Sequence, residues 1–334
     1  MNILFRCDGS LEIGLGHVVR CLALADHLNE NYSCDIQFAM RKSELGKNMV
    51  KNSYVVHESN EIAFDYENWM LDCIEESNAD ILIMDMRDGL MRDELKSIKK
   101  KSGVKVITID DPEDKRLETD MAFYPPVPQL ENLNWNGYDG ELYKGWEYVI
   151  LRKEFLKEYP KPKNTVPNIL VSMGGSDEKN MTEFVINTLN QINEQFKVTI
   201  IIGSGYPYLG KLKNSLEEVR YAFELYQNPR HIAKKMSQTD FAIISFGQTA
   251  YELAALKVPA LYLCLTKDHQ ESAQLFVKEG LGKSLGIFVK NNESIINHMQ
   301  VSLNNLLKDY QFNMPIKIPF GLNNISYPII AISD

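Results

Sequence analysis

The sequence predicts an α/β protein built from two tandem doubly wound domains. Three observations predict it. Short apolar runs alternate with amphipathic helical stretches, the pattern of a parallel sheet covered by helices. The alternation lapses once in mid-chain and then restarts. The 334 residues are enough for two cores at about 100–200 residues per domain.

The elements follow in order. Asn2–Arg6 reads as a first strand, the loop CDGSLEIGLG follows it, and His17–Leu28 places Val18, Cys21, Leu22, Leu24, Ala25 and Leu28 at helical spacing. Asp35–Met40 and Tyr54–His57 read as strands, Asn68–Ser77 as a helix, and Asp80–Asp85 as a strand buried on both faces. A charged helix over Met91–Lys101 and a strand over Val104–Asp110 complete the first series. Between Pro125 and Pro167 the pattern lapses, and the run KEYPKPKNTVP (157–167) reads as a solvated linker. The second series is Asn168–Met173, a helix over Lys179–Glu194, Lys197–Ile202, a helix, Arg220–Leu225, a helix, Asp240–Ser245, a helix over Thr249–Lys257, Pro259–Cys264 and a helix. The expected domains are therefore residues 1–155 and 165–334, facing each other across a cleft. The tail FGLNNISYPIIAIS is expected as a helix packing back across the first domain.

Composition narrows the function. Lys and Arg total 36 against 45 Asp and Glu, a net charge of −9, which argues against nucleic acid or a membrane surface as partner. Cys7, Cys21, Cys34, Cys73 and Cys264 include no C-x-x-C pair, so free buried thiols are expected in place of a zinc site or disulfide framework. No segment approaches a membrane span and MNILFRCDGS is no signal peptide, so a cytoplasmic location is expected.

Ligands of open α/β sheets bind outside the carboxyl ends of the strands, and chemistry-bearing residues lie there. Gly14-Leu15-Gly16-His17 opens the first helix, where glycines admit an anion to free backbone amides. Val19 occupies the third glycine's place of a dinucleotide fingerprint, which disfavours a nicotinamide cofactor. A histidine at a helix start is disfavoured as a cation and is suited to accept a proton. The plainer reading is a packing or capping histidine. Gly174-Gly175-Ser176-Asp177, with Asn180 and Thr182, reads either as a phosphate cradle or as a turn capped by Ser176 or Asp177. In Ser245-Phe246-Gly247-Gln248-Thr249, Thr249 offers hydroxyl and amide to a phosphate. Glu252 is placed to take the hydroxyls of a ribose, or else complements the helix dipole. Thr266-Lys267-Asp268-His269-Gln270-Glu271 reads as a helix cap on Thr266 or Asp268, with His269 or Gln270 toward the ligand. Carboxylates end the first-domain strands: Asp8, Asp85 and the pair Asp110-Asp111. Turn chemistry is preferred over metal for them, and Asp8, nearest His17 in sequence, is expected to orient the imidazole or hold a sugar hydroxyl.

FRCDGSLEIGLGHVVRCLALADHL resembles the opening of the nucleotide-sugar hydrolases of pseudaminic acid synthesis and of the spore-coat polysaccharide proteins akin to them. SMGGSDEKNMT resembles their second-domain G-G-S/T-D-x-x-N motif, and FGQTAYELAALKVPALYLC their turn, Glu-bearing helix and Val-Pro strand. The segments IDDPEDKRLETDMAFYPPVP and DHQES look nearer the spore-coat branch. Gln248 stands where many members have glycine, and His269 where many have Asn. The resemblance implies the two-domain glycosyltransferase (GT-B) fold, with no metal and no cofactor. It implies His17 as the base that activates water, Gly14 and Gly16 beside the pyrophosphate, and Gly174, Gly175 and Ser176 near the phosphates. Gly247, Thr249 and Glu252 would form the nucleotide site, with Arg20, Asn180, Phe246, His269 and Gln270 as further substrate contacts. The expected reaction is hydrolysis of a nucleotide-activated acetamido or deoxy sugar, with UDP-sugar favoured over CDP- or CMP-sugar. The alternatives are a glycosyltransferase with a sugar or lipid acceptor, a sugar epimerase and a non-catalytic binding protein.

Overall fold

The computed structural model describes residues 1–10, 13–59, 65–161, 164–290, 292–308 and 320–332. Leu11 and Glu12 of the first loop, Pro162 and Lys163 of the proline-rich run, and Ser333 of the tail lie outside the described residues. The chain forms two compact units, Met1–Arg152 with Pro319–Asp334, and Lys153–Ile318.

The first unit runs β1 (Asn2–Cys7), α1 (Gly16–Tyr32), β2 (Asp35–Met40), α2 (Glu44–Val50), β3 (Val55–Glu58), α3 (Tyr66–Ser77), β4 (Ile81–Asp85), α4 (Arg92–Ser102), β5 (Lys105–Ile109), β6 (Met121–Tyr124) and β7 (Glu141–Lys144). Its strands pair in parallel in the order β3-β2-β1-β4-β5-β6-β7. The order reverses between β1 and β4, where such sheets open a crevice at their carboxyl ends. Strand alternation sorts side chains to the two faces. Ile3, Phe5 and Cys7 join Ile81 and Ile83 beneath α1, whereas Leu4, Leu82 and Met84 pack with Met70 and Ile74 of α3 and Leu95 and Ile98 of α4. By that parity Asp85, two residues beyond Ile83 and paired with Cys7, faces α1.

The second unit runs β8 (Asn168–Ser172), α5 (Met181–Leu189), β9 (Lys197–Ile202), α6 (Leu209–Glu217), β10 (Ala222–Gln227), α7 (Ile232–Ser237), β11 (Phe241–Ser245), α8 (Gln248–Ala255), β12 (Ala260–Cys264), α9 (Lys267–Lys278), β13 (Gly282–Ile287) and α10 (Glu293–Lys308). All its strands are parallel, in the order β10-β9-β8-β11-β12-β13, and here the order reverses between β8 and β11.

Three features depart from the sequence reading. Strand β7 lies inside the stretch where the pattern lapses; its ELYK is largely exposed, so no apolar run marks it. The run expected as a solvated linker is fastened to the second unit, with Lys161 Nζ donating to the Lys257 carbonyl at 2.7 Å and Asn164 Nδ2 to Asp240 at 2.8 Å. The chain then returns to the first unit as α11 (Asn323–Ala331), so the expected span 165–334 is not one compact unit. Leu322, Ile325 and Ile329 complete the core under α1, and Ser326 Oγ donates to Tyr32 Oη at 3.2 Å. All five cysteines carry free, buried thiols. Among the described residues, no helix is long and apolar enough to cross a membrane.

Candidate active site

The first constellation sits at the β1/β4 reversal. Gly14, at φ 78°, holds a left-handed conformation that glycine adopts without strain. Its carbonyl accepts from the Ser10 amide at 3.3 Å, closing the loop that feeds α1. Leu15 occupies the cap position of α1 without a side-chain cap, so Gly16 and His17 stand in a first turn whose amides the helix leaves unpaired. His17 Nδ1 lies 2.7 Å from Asp85 Oδ1, and its side chain is 28% exposed while that of Asp85 is wholly buried. Burial alone would raise the Asp85 carboxyl. The Arg20 charge, followed by His17, outweighs burial and holds Asp85 well below the usual carboxylate range. An ionised carboxylate only accepts, so Nδ1 donates to Asp85.

Arg20 closes the same group. Its Nε donates to Asp85 Oδ2 at 2.6 Å, its Nη2 to Oδ1 at 2.5 Å, and its Nη1 to Asp110 Oδ2 at 3.3 Å. Asp110 has φ 54°, a left-handed conformation unusual for a residue with a side chain. The Cys21 thiol lies 3.7 Å from Asp85 Oδ2, and burial, with its neighbour Cys7, pushes its ionisation well up.

Asp8 is not the orienting carboxylate. Alternation turns Arg6 away from α1, and Asp8 is drawn into its pair: Arg6 Nη1 and Nη2 donate to the two Asp8 oxygens at 2.6 and 2.8 Å. The Arg41 amide adds a third bond to Asp8 at 2.7 Å. Asp111 is likewise structural. It is buried against Lys115 at 3.2 Å, and burial pushes its carboxyl up to about 6.

In the second unit the candidate residues cluster at the β8/β11 reversal and the adjoining β12 end. Gly174 is exposed at φ 89°, and the Gly175 carbonyl accepts from Gly205 at 3.2 Å. Ser176 is half-buried beside them. Asp177 caps α5, its oxygens accepting from the Met181 and Thr182 amides at 2.8 Å each. That carboxylate fills the helix start, so α5 does not cradle an anion there. Asn180 is spent within the fold as well: it donates to Glu183 and accepts from Tyr206 Oη at 2.7 Å. Its placement as a substrate contact is thereby corrected.

The turn after β11 differs. Gly247 caps α8 without a side-chain cap, and Thr249 is half-buried in the first turn. Glu252 lies beyond the first turn and is 4% exposed, so the dipole does not account for it. Thr266, and not Asp268, caps α9 by accepting from the His269 amide at 3.2 Å. His269 and Gln270 are half-buried, and the His269 ring centroid lies 6.2 Å from that of Phe246. Phe246 in turn meets Tyr262 and Phe276 at 5.5 and 5.1 Å, so an aromatic cluster ties the β11 and β12 turns together.

No family model matches the sequence. Over 284 residues the chain is 28% identical to a UDP-2,4-diacetamido-2,4,6-trideoxy-beta-L-altropyranose hydrolase of Campylobacter jejuni, covering 84% of this chain and 97% of that protein. It is 25% identical over 299 residues to the spore coat polysaccharide biosynthesis protein SpsG of Bacillus subtilis, covering 86% and 84%. The chain is thus similar over most of its length to both proteins. Identities of 28% and 25% do not rank the spore-coat protein above the hydrolase. Among solved structures, MurG of Acinetobacter baumannii superposes with a TM-score of 0.70 at 14% identity, over 99% of this chain and 100% of that one. The fold is thus the expected one, that of the two-domain glycosyltransferases.

The segment Gly14 to Leu22 carries His17 and Arg20. Sequence reading missed their shared partner. Asp85 was legible only as an acid ending a fully buried strand, and its parity with Ile81 and Ile83 is the signal that turns it toward α1.

Proposed function

We propose that this protein hydrolyses a nucleotide-activated amino or acetamido sugar, with a UDP-sugar favoured. The single observation that carries the reading is the His17–Asp85 pair at the sheet reversal, in which Nδ1 of a partly exposed imidazole is bonded to the buried carboxylate and Nε2 is the nitrogen outside that bond. The related Campylobacter protein's name supports this reaction and the UDP-linked donor.

In this reading Nε2 takes a proton from water as its oxygen bonds to the anomeric carbon, and the bond from that carbon to the diphosphate breaks. The buried Asp85 carboxylate holds the ring and stabilises the positive charge that builds on it, the role of the third member in a nucleophile–base–acid arrangement. Backbone amides at the start of α8, with the Thr249 hydroxyl and the Gly174–Ser176 turn, would stabilise charge on the departing nucleoside diphosphate. Glu252, buried one turn into α8, is the candidate for the ribose hydroxyls. The products are a free sugar, of the kind used in surface-glycan or nonulosonic acid synthesis, and a nucleoside diphosphate.

The test is incubation with UDP-, CDP- and CMP-linked acetamido sugars in oxygen-18 water without acceptor, read by mass spectrometry, with His17→Ala alongside. Label at the anomeric oxygen, lost in the variant, supports hydrolysis. Intact donor with UDP binding retained favours the second reading, a glycosyltransferase awaiting a sugar or lipid acceptor, which the fold likeness keeps open.

A further inference from the structure

We propose that Arg20 is a positioning residue for the base, acting through Asp85, and that Asp110 sets the charge balance of the group. The inference rests on the reading of His17 as the base and departs from the expectation that Arg20 touches substrate.

Arg20 follows His17 by three residues on α1, so both side chains leave the same face of the helix. The guanidinium engages both oxygens of Asp85, at 2.6 and 2.5 Å, the paired fork that gives the strongest and most directional ion pairs. Its remaining terminal nitrogen reaches Asp110 at 3.3 Å, so all three nitrogens face protein carboxylates. The Arg20 side chain is 11% exposed, and that of Asp85 is not exposed at all. A diphosphate that drew the guanidinium away from Asp85 would leave a buried charge without its partner.

The arrangement instead suits the control of one oxygen. Asp85 Oδ1 receives both His17 Nδ1 at 2.7 Å and Arg20 Nη2 at 2.5 Å, and those two nitrogens are 3.5 Å apart. Arginine has no acceptor and stays charged. It therefore pins Asp85 against rotation, and its positive charge opposes the one that builds on the imidazole. Among the described residues, four groups set the field at the ring: Asp85 from β4, Arg20 from α1, Asp110 after β5, and the Cys21 thiol on Asp85 Oδ2 at 3.7 Å. Asp85 and Arg20 cancel, and Asp110 restores one negative charge.

The roles of Arg20 and Asp110 thus have opposite signatures. The experiment follows the His17 ring by NMR titration, assigned by its loss in His17→Ala, in wild type, Arg20→Met, Arg20→Lys and Asp110→Asn, and measures UDP affinity calorimetrically in each. The expected result is a titration midpoint that rises by about one pH unit or more in Arg20→Met and falls in Asp110→Asn. UDP affinity stays within about two-fold, and kcat for whichever donor turns over drops about 10²-fold in Arg20→Met. Arg20→Lys returns the midpoint toward wild type but not kcat, because one ammonium cannot hold both oxygens. Unmoved midpoints, with UDP affinity reduced ten-fold or more in Arg20→Met, overturn the proposal and return Arg20 to the substrate. Should Arg20→Met fail to fold by circular dichroism, two responses decide it: a reduced kcat with unchanged UDP affinity in Arg20→Lys, and a lowered midpoint in Asp110→Asn. Retained turnover in His17→Ala sinks the base reading by itself, whatever the midpoints do.

Discussion

A Cβ at Gly203 would lie 2.2 Å from the carbonyl oxygen of Gly175 and 2.5 Å from its Cα. The loop after β9 therefore rests backbone on backbone against the turn after β8, and Gly205 adds a hydrogen bond to the same carbonyl. Alanine at Gly203 must push the Gly174–Ser176 turn aside, and overpacking of this kind costs about 1–3 kcal/mol. We expect Gly203→Ala to weaken UDP binding roughly ten-fold or more while the His17 group keeps its titration behaviour. Calorimetric titration with UDP checks it, and unchanged affinity would show that the turn does not contact the nucleotide.

Asp85→Asn keeps the shape and removes the charge. The amide faces the Arg20 fork with a donor where an acceptor stood, and the imidazole loses its fixed tautomer. Turnover should fall by about 10²- to 10⁴-fold, the range that positioned acid–base catalysis contributes. Steady-state kinetics on the folded variant checks it. Asp8→Asn should leave the pH–rate profile in place, since Asp8 bonds Arg6 and the Arg41 amide.

Asp111 gives stability an unusual pH dependence. Its folded pKa, about 6, lies above the unfolded value near 4, because burial penalises the carboxylate. The folded state thus binds the extra proton between those values, and this group's contribution to stability falls as pH rises from about 4 to about 6. The swing is on the order of 1–3 kcal/mol. Thermal melts of wild type and Asp111→Asn at pH 4.5 and 7.5 should show the variant gaining relative to wild type at the higher pH. An equal difference at both would refute the assignment. Asp85 works the other way: its depressed carboxyl stabilises the fold above about pH 4, and that contribution is lost as pH falls further.

Ile325 is fully buried in the first unit although it lies near the end of the sequence. Ile325→Ala should cost about 2–5 kcal/mol. Hydrogen exchange should show the loss in β1, α1 and β4, with the amides of β8 to β13 unaffected.

What was legible in the sequence follows from burial. Strands covered on both faces, such as DILIMD and DFAIIS, announce themselves as apolar runs, so both sheets could be read. Strand β7, with ELYK largely exposed, leaves no such trace. At the site, His17 was legible because glycines and a helix start surround it. Its partner was not: Asp85 is 68 residues away, while Asp8 stood close by in the chain. Only the alternation of β1 and β4, paired Cys7 to Asp85, shows which acid faces α1. For SMGGSDEKN the sequence left a phosphate cradle and a capped strand-to-helix turn equally open, and it is the Asp177 carboxylate that fills the amides of α5.

The return of α11 to the first unit sets a timetable for biosynthesis. Residues 1–152 leave the ribosome before the whole of the second unit, and the helix that covers α1 emerges after it. At about 5–20 residues per second that delay is on the order of ten to thirty seconds. Through it, the core cluster that holds Leu24 and Leu28 of the His17-bearing helix lacks Ile325 and Ile329. The second unit, whose sheet is drawn from one continuous stretch, can be finished while the first still waits. A nascent chain of this protein therefore matures from its middle outward, and a message cut short before α11 yields a complete second unit and a first unit whose core is still uncovered.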